Sequence, residues 1–293
     1  MQLIFTADDC GRSPAINAAV ELAHRQGVLT AASLMVAEPA WAEAVALART
    51  LPDLAVGLHV VVGGGQAVLP PKDIPHLVDA RGRFPPDGLT AGLRYAFSAV
   101  ARRELVRELT AQFERFAATG LALSHVDGHM HLHMLPGVLA TVVRLAVQFG
   151  AVGLRIPHDV LRLSWRHERR AALAKLGWAL AFTGLRQALR RHWQGTPLRV
   201  ADRVFGVLQS GHMDEAYVLR VLDYLTTPAA ARAIGVAEFY FHPSLEPGGE
   251  DLGPNPGDLA TLLSPRLREA LAAGGLQPTN YLALRREQGA SPG

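Results

Sequence analysis

The sequence contains very little cysteine and lysine and no long hydrophobic run. Its one cysteine, Cys10, cannot form an internal disulfide, which indicates a reducing, cytoplasmic setting. No apolar run approaches the roughly 20 residues that span a bilayer, and the first residues, MQLIFTADD, lack the charged and apolar regions of a signal peptide. The sequence has only two lysines, Lys72 and Lys175, and 27 arginines. The net charge of +3 is too small to predict a nucleic-acid partner.

Short apolar runs alternate with helical periodicities along the 293 residues, which is typical of a parallel α/β fold. The strands are predicted at 3–6, 34–36, 54–59, 121–127, 152–156, 203–208 and 237–241. The clearest helix begins after Ser13, with Pro14 at its first position, and ends at Gly27; others are predicted at 41–50, 101–119 and 137–149. Six or seven such units favour a single-domain (β/α) barrel, complete or incomplete and distorted, over residues 1–287. A doubly wound sheet is the alternative, and residues 288–293 are predicted to be a disordered tail.

Two adjacent carboxylates, Asp8 and Asp9, follow the first apolar run in the stretch FTADDCGRS. Like charges at close range cost free energy unless a cation lies between them or one of them is protonated. Asp and Gly are also common in turns, so a simple turn before the helix at Pro14 is the alternative interpretation. In parallel α/β folds the site lies at the carboxyl ends of the strands, and His59 likewise ends a predicted strand.

Four of the twelve histidines lie in the stretch SHVDGHMHLHMLP. They are His125, His129, His131 and His133, and Asp127 lies among them. On a straight strand these odd-numbered residues would share one face, although the glycine in the stretch is expected to bend the chain. Imidazole and carboxylate ligands suit Zn²⁺, and also Mn²⁺, Co²⁺ or Ni²⁺. The stretch therefore predicts a site for a divalent metal ion.

Such a metal ion would explain the paired carboxylates of the first strand. We expect one of them to bind the ion and the other to act on a water molecule, because the cation makes two adjacent negative charges tolerable. An Asp/His/His ligand set leaves a coordination position open, as a hydrolytic metal site requires. His242, in EFYFHPS, also ends a predicted strand and is a candidate general acid, with an ordinary loop histidine as the alternative.

Taken together, these stretches resemble the YdjC-like carbohydrate deacetylases, and most closely their hopanoid-biosynthesis-associated branch. The matching pieces are TADDCG, AASLMV, LAVGLHVVV, IPHLVDARGRF and HVDGHMHLH. The resemblance covers most of residues 2–160 and returns at 238–244. It implies a (β/α) barrel with one divalent metal ion, Zn²⁺ or Mg²⁺ in the first place, that removes N-acetyl groups from amino sugars.

The resemblance also implies a role for each candidate residue. The metal ligands would be Asp9, His59 and His129, the general base Asp8 and the general acid His242. Arg155, in LRIP, would orient a carboxylate or contact the substrate. The side chains that would line or support the site are His125, Asp127, His131 and His133.

Cys10 departs from this family pattern, which usually has phenylalanine after the paired aspartates. A packing substitution is the favoured interpretation of Cys10, and an additional soft metal ligand is the alternative.

The segment from 159 to 199 matches the family less well and carries nine basic residues against two acidic ones. Trp165, Trp178 and Trp193 lie in the same segment. One interpretation is a helical pair whose tryptophans pack on the barrel. The other is an Arg-rich cover, or lid, that rests on anionic lipid. The implied substrate, an acetylated sugar on a hopanoid lipid, would place a cytoplasmic protein at the inner membrane surface.

Two other classes of function are the alternatives to a deacetylase. HxH motifs near strand ends also occur in metal-dependent phosphoesterases and amidohydrolases, although in amidohydrolases the motif typically follows the first strand. A non-catalytic barrel that binds lipid or sugar is the second alternative, and the joint presence of Asp8, Asp9, His59, His129 and His242 argues against it. The sequence itself does not determine which metal ion binds or how many copies of the chain associate.

Overall fold

Eight parallel strands form one curled sheet in the computed structural model, which describes residues 1–169, 171–250 and 252–289. The strands are β1 (Gln2–Cys10), β2 (Ala31–Leu34), β3 (Ala55–Val60), β4 (His125–Gly128), β5 (Gly153–Leu154), β6 (Arg203–Phe205), β7 (Val236–Phe241) and β8 (Gln277–Thr279). Their order is β5-β4-β3-β2-β1-β7-β6, and β8 pairs with the first residues of β1. An isolated parallel bridge between Gly153 and Arg199 connects the regions of the two edge strands. The predicted fold, a distorted (β/α) barrel in one domain, is confirmed.

Helices follow most strands and pack against the outer face of the sheet. They are α1 (Pro14–Gln26), α2 (Trp41–Arg49), α3 (Gly88–Phe97), α4 (Ala99–Ala117), α5 (Val138–Gln148), α6 (Leu161–His167), α7 (Ala172–Leu189), α8 (Glu215–Leu225), α9 (Pro228–Ala233), α10 (Pro256–Leu263), α11 (Pro265–Ala273) and α12 (Tyr281–Gly289). Short 3₁₀ helices cover His129–Met134 and Arg190–His192. The rest of the predicted tail, residues 290–293, lies outside the described residues.

Alternation along the strands separates an apolar outer face from a polar interior. Phe5 of β1 stacks on Phe239 of β7 at 5.1 Å within the core that the strands share with the helices. On the opposite face of the same two strands, the Thr6 hydroxyl donates to Glu238 Oε1 at 3.0 Å. Burying a side chain such as phenylalanine stabilises the fold by about 1.5–3 kcal/mol. If a strand shifted by one residue against its neighbour, its apolar side chains would point into the interior and its polar ones toward the helices. The burial of the apolar face therefore fixes the register of the strands.

The first strand is longer than predicted, because β1 continues to Cys10 and therefore contains the paired aspartates. Its pairing with β2 shifts register between Ala7 and Cys10. The second strand was predicted too late in the sequence, since β2 ends at Leu34. Neither α3 nor β8 was predicted.

Two helices and a 3₁₀ helix form the segment from 159 to 199, in which Arg170 lies outside the described residues. α7 carries the apolar sequence ALAKLGWALAFTGLRQAL, yet Leu173, Trp178 and Leu180 are 84, 57 and 65% exposed. Trp193, by contrast, is buried just beyond the 3₁₀ helix. Within the described ranges, no helix is long and apolar enough to cross a membrane.

Candidate metal centre and active site

The carboxyl ends of the strands bring most of the predicted site residues together. Asp9 of β1, His59 of β3 and His129, which follows β4, are buried, and their potential ligand atoms lie within 4.8 Å of one another. Asp8, His59 and Asp127 form a second such group beside the first. The two groups share His59, so the adjacent carboxylates and the histidine-rich stretch belong to one site.

The backbone at Asp9 explains how two neighbouring aspartates reach the same site. Successive side chains of a regular strand point to opposite faces. Asp9 has a φ of 61°, in the left-handed region, and the register of β1 shifts at this point. A non-glycine residue in that region costs of order 1–3 kcal/mol, which the surrounding structure must offset. This local strain turns the Asp9 carboxylate toward His59, beside that of Asp8.

The spacing of the donor atoms around Asp9 fits a divalent metal ion. Asp9 Oδ1 lies 3.0 Å from His129 Nδ1 and 3.5 Å from His59 Nε2. Donors about 2.1 Å from one tetrahedral ion lie roughly 3.4 Å apart. Burial would raise the pKa of Asp9, but His129 and its hydrogen bond hold it well below the usual value, so the carboxylate is ionised. One carboxylate and two imidazoles are a donor set that suits Zn²⁺ and similar ions.

Asp127 orients His59 through Nδ1, the ring nitrogen that does not face Asp9. Its Oδ1 lies 2.8 Å from His59 Nδ1. When Nδ1–H donates to this carboxylate, Nε2 presents its lone pair toward Asp9, which is the usual support for a metal-binding histidine. Burial would lower the pKa of His59, but Asp127 outweighs it and raises the pKa to about 9. A metal ion at this position therefore competes with a proton.

Arg155 is fully buried and forms ion pairs with three carboxylates beneath the site. Its Nη1 lies 2.6 Å from Asp8 Oδ2 and 2.7 Å from Asp127 Oδ2, and its Nε donates to Glu238 Oε1 at 2.9 Å. Burial would lower the pKa of Arg155, but these carboxylates hold it well above the usual value. Asp8 Oδ1 is buried and has no hydrogen-bond partner among the described residues. The structure therefore uses Arg155 to orient carboxylates and leaves one oxygen of Asp8 available.

His125 lies below the site rather than in it. The Ser33 hydroxyl donates to Asp127 Oδ2 at 2.7 Å and lies 3.0 Å from His125 Nε2. The His125 ring fills the space above Gly57, where a Cβ atom would lie 2.5 Å from the ring. Burial lowers the pKa of His125, which favours its neutral form. His125 thus supports Asp127 through Ser33.

The chain turns sharply after His129, so the next two histidines point elsewhere. His131 has a φ of 54°, and its Nε2 lies 2.9 Å from the Tyr240 hydroxyl. His133 Nε2 lies 2.9 Å from the carbonyl oxygen of Arg155. Burial lowers the pKa of His131 well below its usual value and that of His133 to about 4. Both are neutral side chains that support the wall of the site.

His242 directly follows β7 and is half-buried. Its backbone N–H donates to Asp258 Oδ2 at 2.8 Å, and its Nδ1 is buried without a hydrogen-bond partner. Its charge is one of the influences that lower the pKa of Asp9, which places it within electrostatic range of the centre. A free imidazole nitrogen here is available to a bound molecule.

Several supporting residues were missed although they lie in stretches singled out from the sequence. Ser33 and Glu238 are polar residues inside otherwise apolar strands, and that contrast is the pattern that could have identified them. Arg12, in FTADDCGRS, donates to Asp9 Oδ2 at 3.0 Å and also contacts Glu250. Tyr281 lies far along the sequence, and its hydroxyl donates to Glu238 Oε2 at 2.9 Å. No local pattern pointed to it.

Cys10 is buried on the outer face of β1. Its Sγ lies 3.8 Å from Asn17 Oδ1, and burial raises the pKa of the thiol to about 12. Among the described residues, neither group of potential metal ligands includes it. Its position fits the packing interpretation.

Fold and site together define a class: a parallel (β/α) barrel whose strand ends hold a buried carboxylate–imidazole centre that could bind a divalent metal ion. A sequence profile of the YdjC-like proteins matches residues 2–273, and the chain belongs to this YdjC-like protein family. The family predicted from the sequence motifs is therefore confirmed.

Curated relatives agree with this assignment, and a solved structure shares the fold. The chain is 43% identical over 157 residues to a carbohydrate deacetylase of Brevibacillus brevis and 39% identical over 164 residues to one of Geobacillus stearothermophilus. These matches cover 54 and 56% of this chain but only 60 and 61% of the two relatives. A crystal structure of a protein from Enterococcus faecalis V583 has the same fold, with a TM-score of 0.75 and 23% identity over 97% of this chain and 98% of that chain.

Proposed function

We propose that this protein is a metal-dependent hydrolase that removes the acetyl group from the nitrogen of an acetylated amino sugar. The observation that carries the proposal is the placement of Asp9 Oδ1 at 3.0 and 3.5 Å from two imidazole nitrogens, beside the adjoining group that contains Asp8. Asp8 has one oxygen, Oδ1, without a hydrogen-bond partner among the described residues. The carbohydrate deacetylases among its relatives support the choice of reaction and substrate class.

The three ligands in this proposal are Asp9, His59 and His129. A divalent ion held there would polarise the acetamide carbonyl and lower the pKa of a bound water from 15.7 toward about 7. Asp127 keeps the His59 imidazole in the orientation and tautomer that this binding needs. The second oxygen of Asp9 is held by Arg12, which fixes the carboxylate plane.

Two side chains of this chain would move the protons. Asp8 accepts a proton from the attacking water at Oδ1 while Arg155 holds Oδ2. The water oxygen forms a bond to the acetyl carbon, and the C–N bond then breaks. His242 gives a proton to the departing nitrogen, because an amine leaves poorly as an anion. The products are acetate and a free amine, and a positioned acid or base contributes about 10²–10⁴-fold.

We further propose that the acetylated sugar is N-acetylglucosamine carried by a hopanoid lipid of the bacteriohopanetetrol type. The sequence motifs shared with the hopanoid-associated branch support this choice. The exposed Leu173, Trp178 and Leu180 of α7 provide an apolar surface from which a lipid-bound substrate could be approached. α7 also reaches the site, because Phe182 packs edge-on against His131 at 5.5 Å.

Such a substrate would be reached from the cytoplasmic face of the inner membrane. The excess of arginine between 159 and 199 supports peripheral contact with anionic lipid, since each basic residue near such a surface contributes about 1 kcal/mol. The burial of Trp193 leaves Trp165 and Trp178 as the tryptophans available for that contact.

Acetate release is the experiment that tests the proposed reaction. The purified protein, loaded with Zn²⁺, Mn²⁺ or Co²⁺ in turn, would be incubated with N-acetylglucosaminyl bacteriohopanetetrol, with free N-acetylglucosamine and with a phosphate monoester. We expect acetate from the first substrate at the highest rate. Acetate from the free sugar alone would contradict the lipid proposal but support the reaction.

The alternatives are separate outcomes of the same assay. Phosphate release without acetate would indicate a phosphoesterase. Binding of the glycolipid without any product would indicate a non-catalytic barrel. Either outcome would contradict a deacetylase.

A further inference from the structure

A second polar pocket lies outside the catalytic site, at the carboxyl-terminal end of α7. It is lined by Arg186, Gln187, Arg190, Trp193 and Gln194. Two of the five lining side chains are guanidinium groups, two are amides, and none is acidic. The buried Trp193 closes one wall. The pocket therefore presents many hydrogen-bond donors and a double positive charge.

Arg186 lacks the partner that a shielded guanidinium requires. Its Nη1 is buried from solvent and makes no hydrogen bond to any residue that the structure describes. Leaving a buried charged donor unsatisfied is costly, so native structures normally pair such a group. Arg190 lines the same pocket, and no hydrogen bond or ion pair of its side chain is found within the described part of the chain. An external anion is the missing partner that this arrangement fits.

The charges of Arg203 and Arg190 add positive potential at Arg186, and the charge of Asp202 opposes it. Burial, followed by the charge of Arg203, lowers the pKa of Arg186. Burial, together with the charges of Arg203 and Arg186, lowers the pKa of the nearby His158 to about 4. Asp202 is the nearby acidic residue, but its Oδ2 already accepts hydrogen bonds from the backbone at Gly235 and Val236. This oxygen of Asp202 is thus hydrogen-bonded to the backbone at the start of β7.

We propose that Arg186 and Arg190 bind a phosphate group, carried either by a small soluble compound or by a lipid headgroup. A guanidinium fork matches phosphate oxygens bidentately. The two guanidiniums and two amides together offer more donors than the two oxygens of a carboxylate can accept, whereas a phosphate presents additional acceptor oxygens. The pocket lies about 9 Å along α7 from the exposed Leu180, because each helical residue rises 1.5 Å. A lipid phosphate could therefore be bound while its chains lie on α7.

The test compares two double variants with the same change in net charge. In Arg186→Gln/Arg190→Gln the pocket loses both cations. In the control, Arg162→Gln/Arg191→Gln, two exposed arginines that do not line the pocket are changed. Binding of inorganic phosphate is measured by calorimetry. Cosedimentation is measured with phosphatidylcholine vesicles that contain or lack phosphatidic acid, at 50 and 300 mM salt.

We expect the wild type to bind at least one of the two phosphate probes. The pocket variant should bind that probe at least tenfold more weakly than the control variant does. The control should bind inorganic phosphate within twofold of the wild type, and from the vesicles it should lose only the general attraction of two surface arginines for anionic lipid. Loss of inorganic phosphate binding alone would identify a soluble phosphate compound, and loss of phosphatidic acid binding alone a lipid headgroup. Equal losses in the two double variants, or no binding by the wild type, would overturn the proposal. If the pocket variant fails to fold, Arg190→Gln against Arg191→Gln provides the same comparison at neighbouring exposed positions.

Discussion

Asp9 is the residue on which the proposed centre depends, because its Oδ1 faces both imidazole nitrogens. Replacing Asp9, His59 or His129 by alanine removes one of three donors. We therefore expect each variant to lose bound metal and activity, with metal content falling at least tenfold at micromolar metal. Elemental analysis after gel filtration measures it. His131→Ala is the matched control, since its imidazole lies in the same stretch but contacts Tyr240. Full metal content in all three ligand variants would contradict the assignment.

Asp8 differs from Asp9 in having one oxygen held by Arg155 and the other free. Asp8→Asn keeps the shape of the side chain but removes its capacity to accept a proton. We expect metal content to stay unchanged and the turnover number to fall by about 10²–10⁴-fold. Because Arg155 still faces Asp127 and Glu238, the thermal midpoint should change little. Loss of metal in this variant would instead make Asp8 a ligand.

His242 has a free ring nitrogen, and its proposed role can be separated from that of Asp8. An amide needs a proton on its leaving nitrogen, whereas an aryl acetate releases a phenolate that does not. His242→Ala should therefore reduce acetate release from the amide at least tenfold more than release from the aryl ester. Equal losses on the two substrates would show that His242 is not the acid.

At the residue scale, the sequence predicted which groups meet but not how they are held. Asp9, His59 and His129 could be predicted because each lies at the end of a strand or just beyond one. The support by Tyr281 could not, because a hydroxyl on a distant helix has no local pattern that points to a carboxylate. His131 and His133 share a periodicity with His129, but left-handed residues at Met130 and His131 break it.

At the element scale, the neighbouring strands β3 and β4 pack closely because a glycine of β3 leaves room for a histidine ring of β4. Gly57 has no side chain, and the ring of His125 occupies the space above it. In Gly57→Ala the added Cβ would lie 2.5–2.6 Å from three ring atoms of His125. We expect the free energy of unfolding to fall by about 1–3 kcal/mol, as for other overpacked cores. Urea unfolding measures the change.

Two further variants make this prediction specific to the contact. Gly57→Ala/His125→Ala should be less unstable than the sum of its two single variants, because the added methyl then has room. Gly177→Ala, on α7, has no atom within 4 Å of the added Cβ and should be neutral or stabilising by up to about 1 kcal/mol. Additive losses in the double variant would mean that His125 does not restrict position 57.

The elements themselves were predictable where short-range chemistry decides them. Ser13 accepts a hydrogen bond from the backbone of Ile16, as a helix cap should, and α1 ends before Gly27. The end of β1 was not predictable, because the shift of register and the left-handed Asp9 arise from tertiary contacts. The three-residue β8 is too short to show any periodicity.

At the scale of the whole molecule, the barrel encloses a network of charged and polar groups beside a small apolar cluster that includes Ile4, Ala31 and Ala55. Arg155 forms ion pairs with Asp8, Asp127 and Glu238, and the histidines around it differ in protonation. His59 has a raised pKa because of Asp127, whereas burial lowers the pKa of His125 and His133. The stability of the metal-free protein should therefore depend on pH on both sides of neutrality.

The sign of this dependence follows from the protons that each state binds. A histidine in the unfolded chain has a pKa near 6.5, and His133 in the fold has one of about 4. Between these values the unfolded chain binds more protons, so stability falls as the pH decreases from 6.5 toward 4. His59, with a pKa of about 9, contributes stability that is complete below pH 6.5 and is lost as the pH rises to 9.

Urea unfolding of the metal-free protein at pH 4.5, 6.5 and 9 measures both slopes, and we expect the highest stability at the middle value. His133→Gln, which can still donate to the Arg155 carbonyl, should lose part of the acid slope, by at most about 3 kcal/mol, and keep the alkaline one. His59→Gln should lose the alkaline slope and keep the acid one. Because each variant serves as the control for the other, a change of both slopes in either variant would show that the two histidines do not titrate independently.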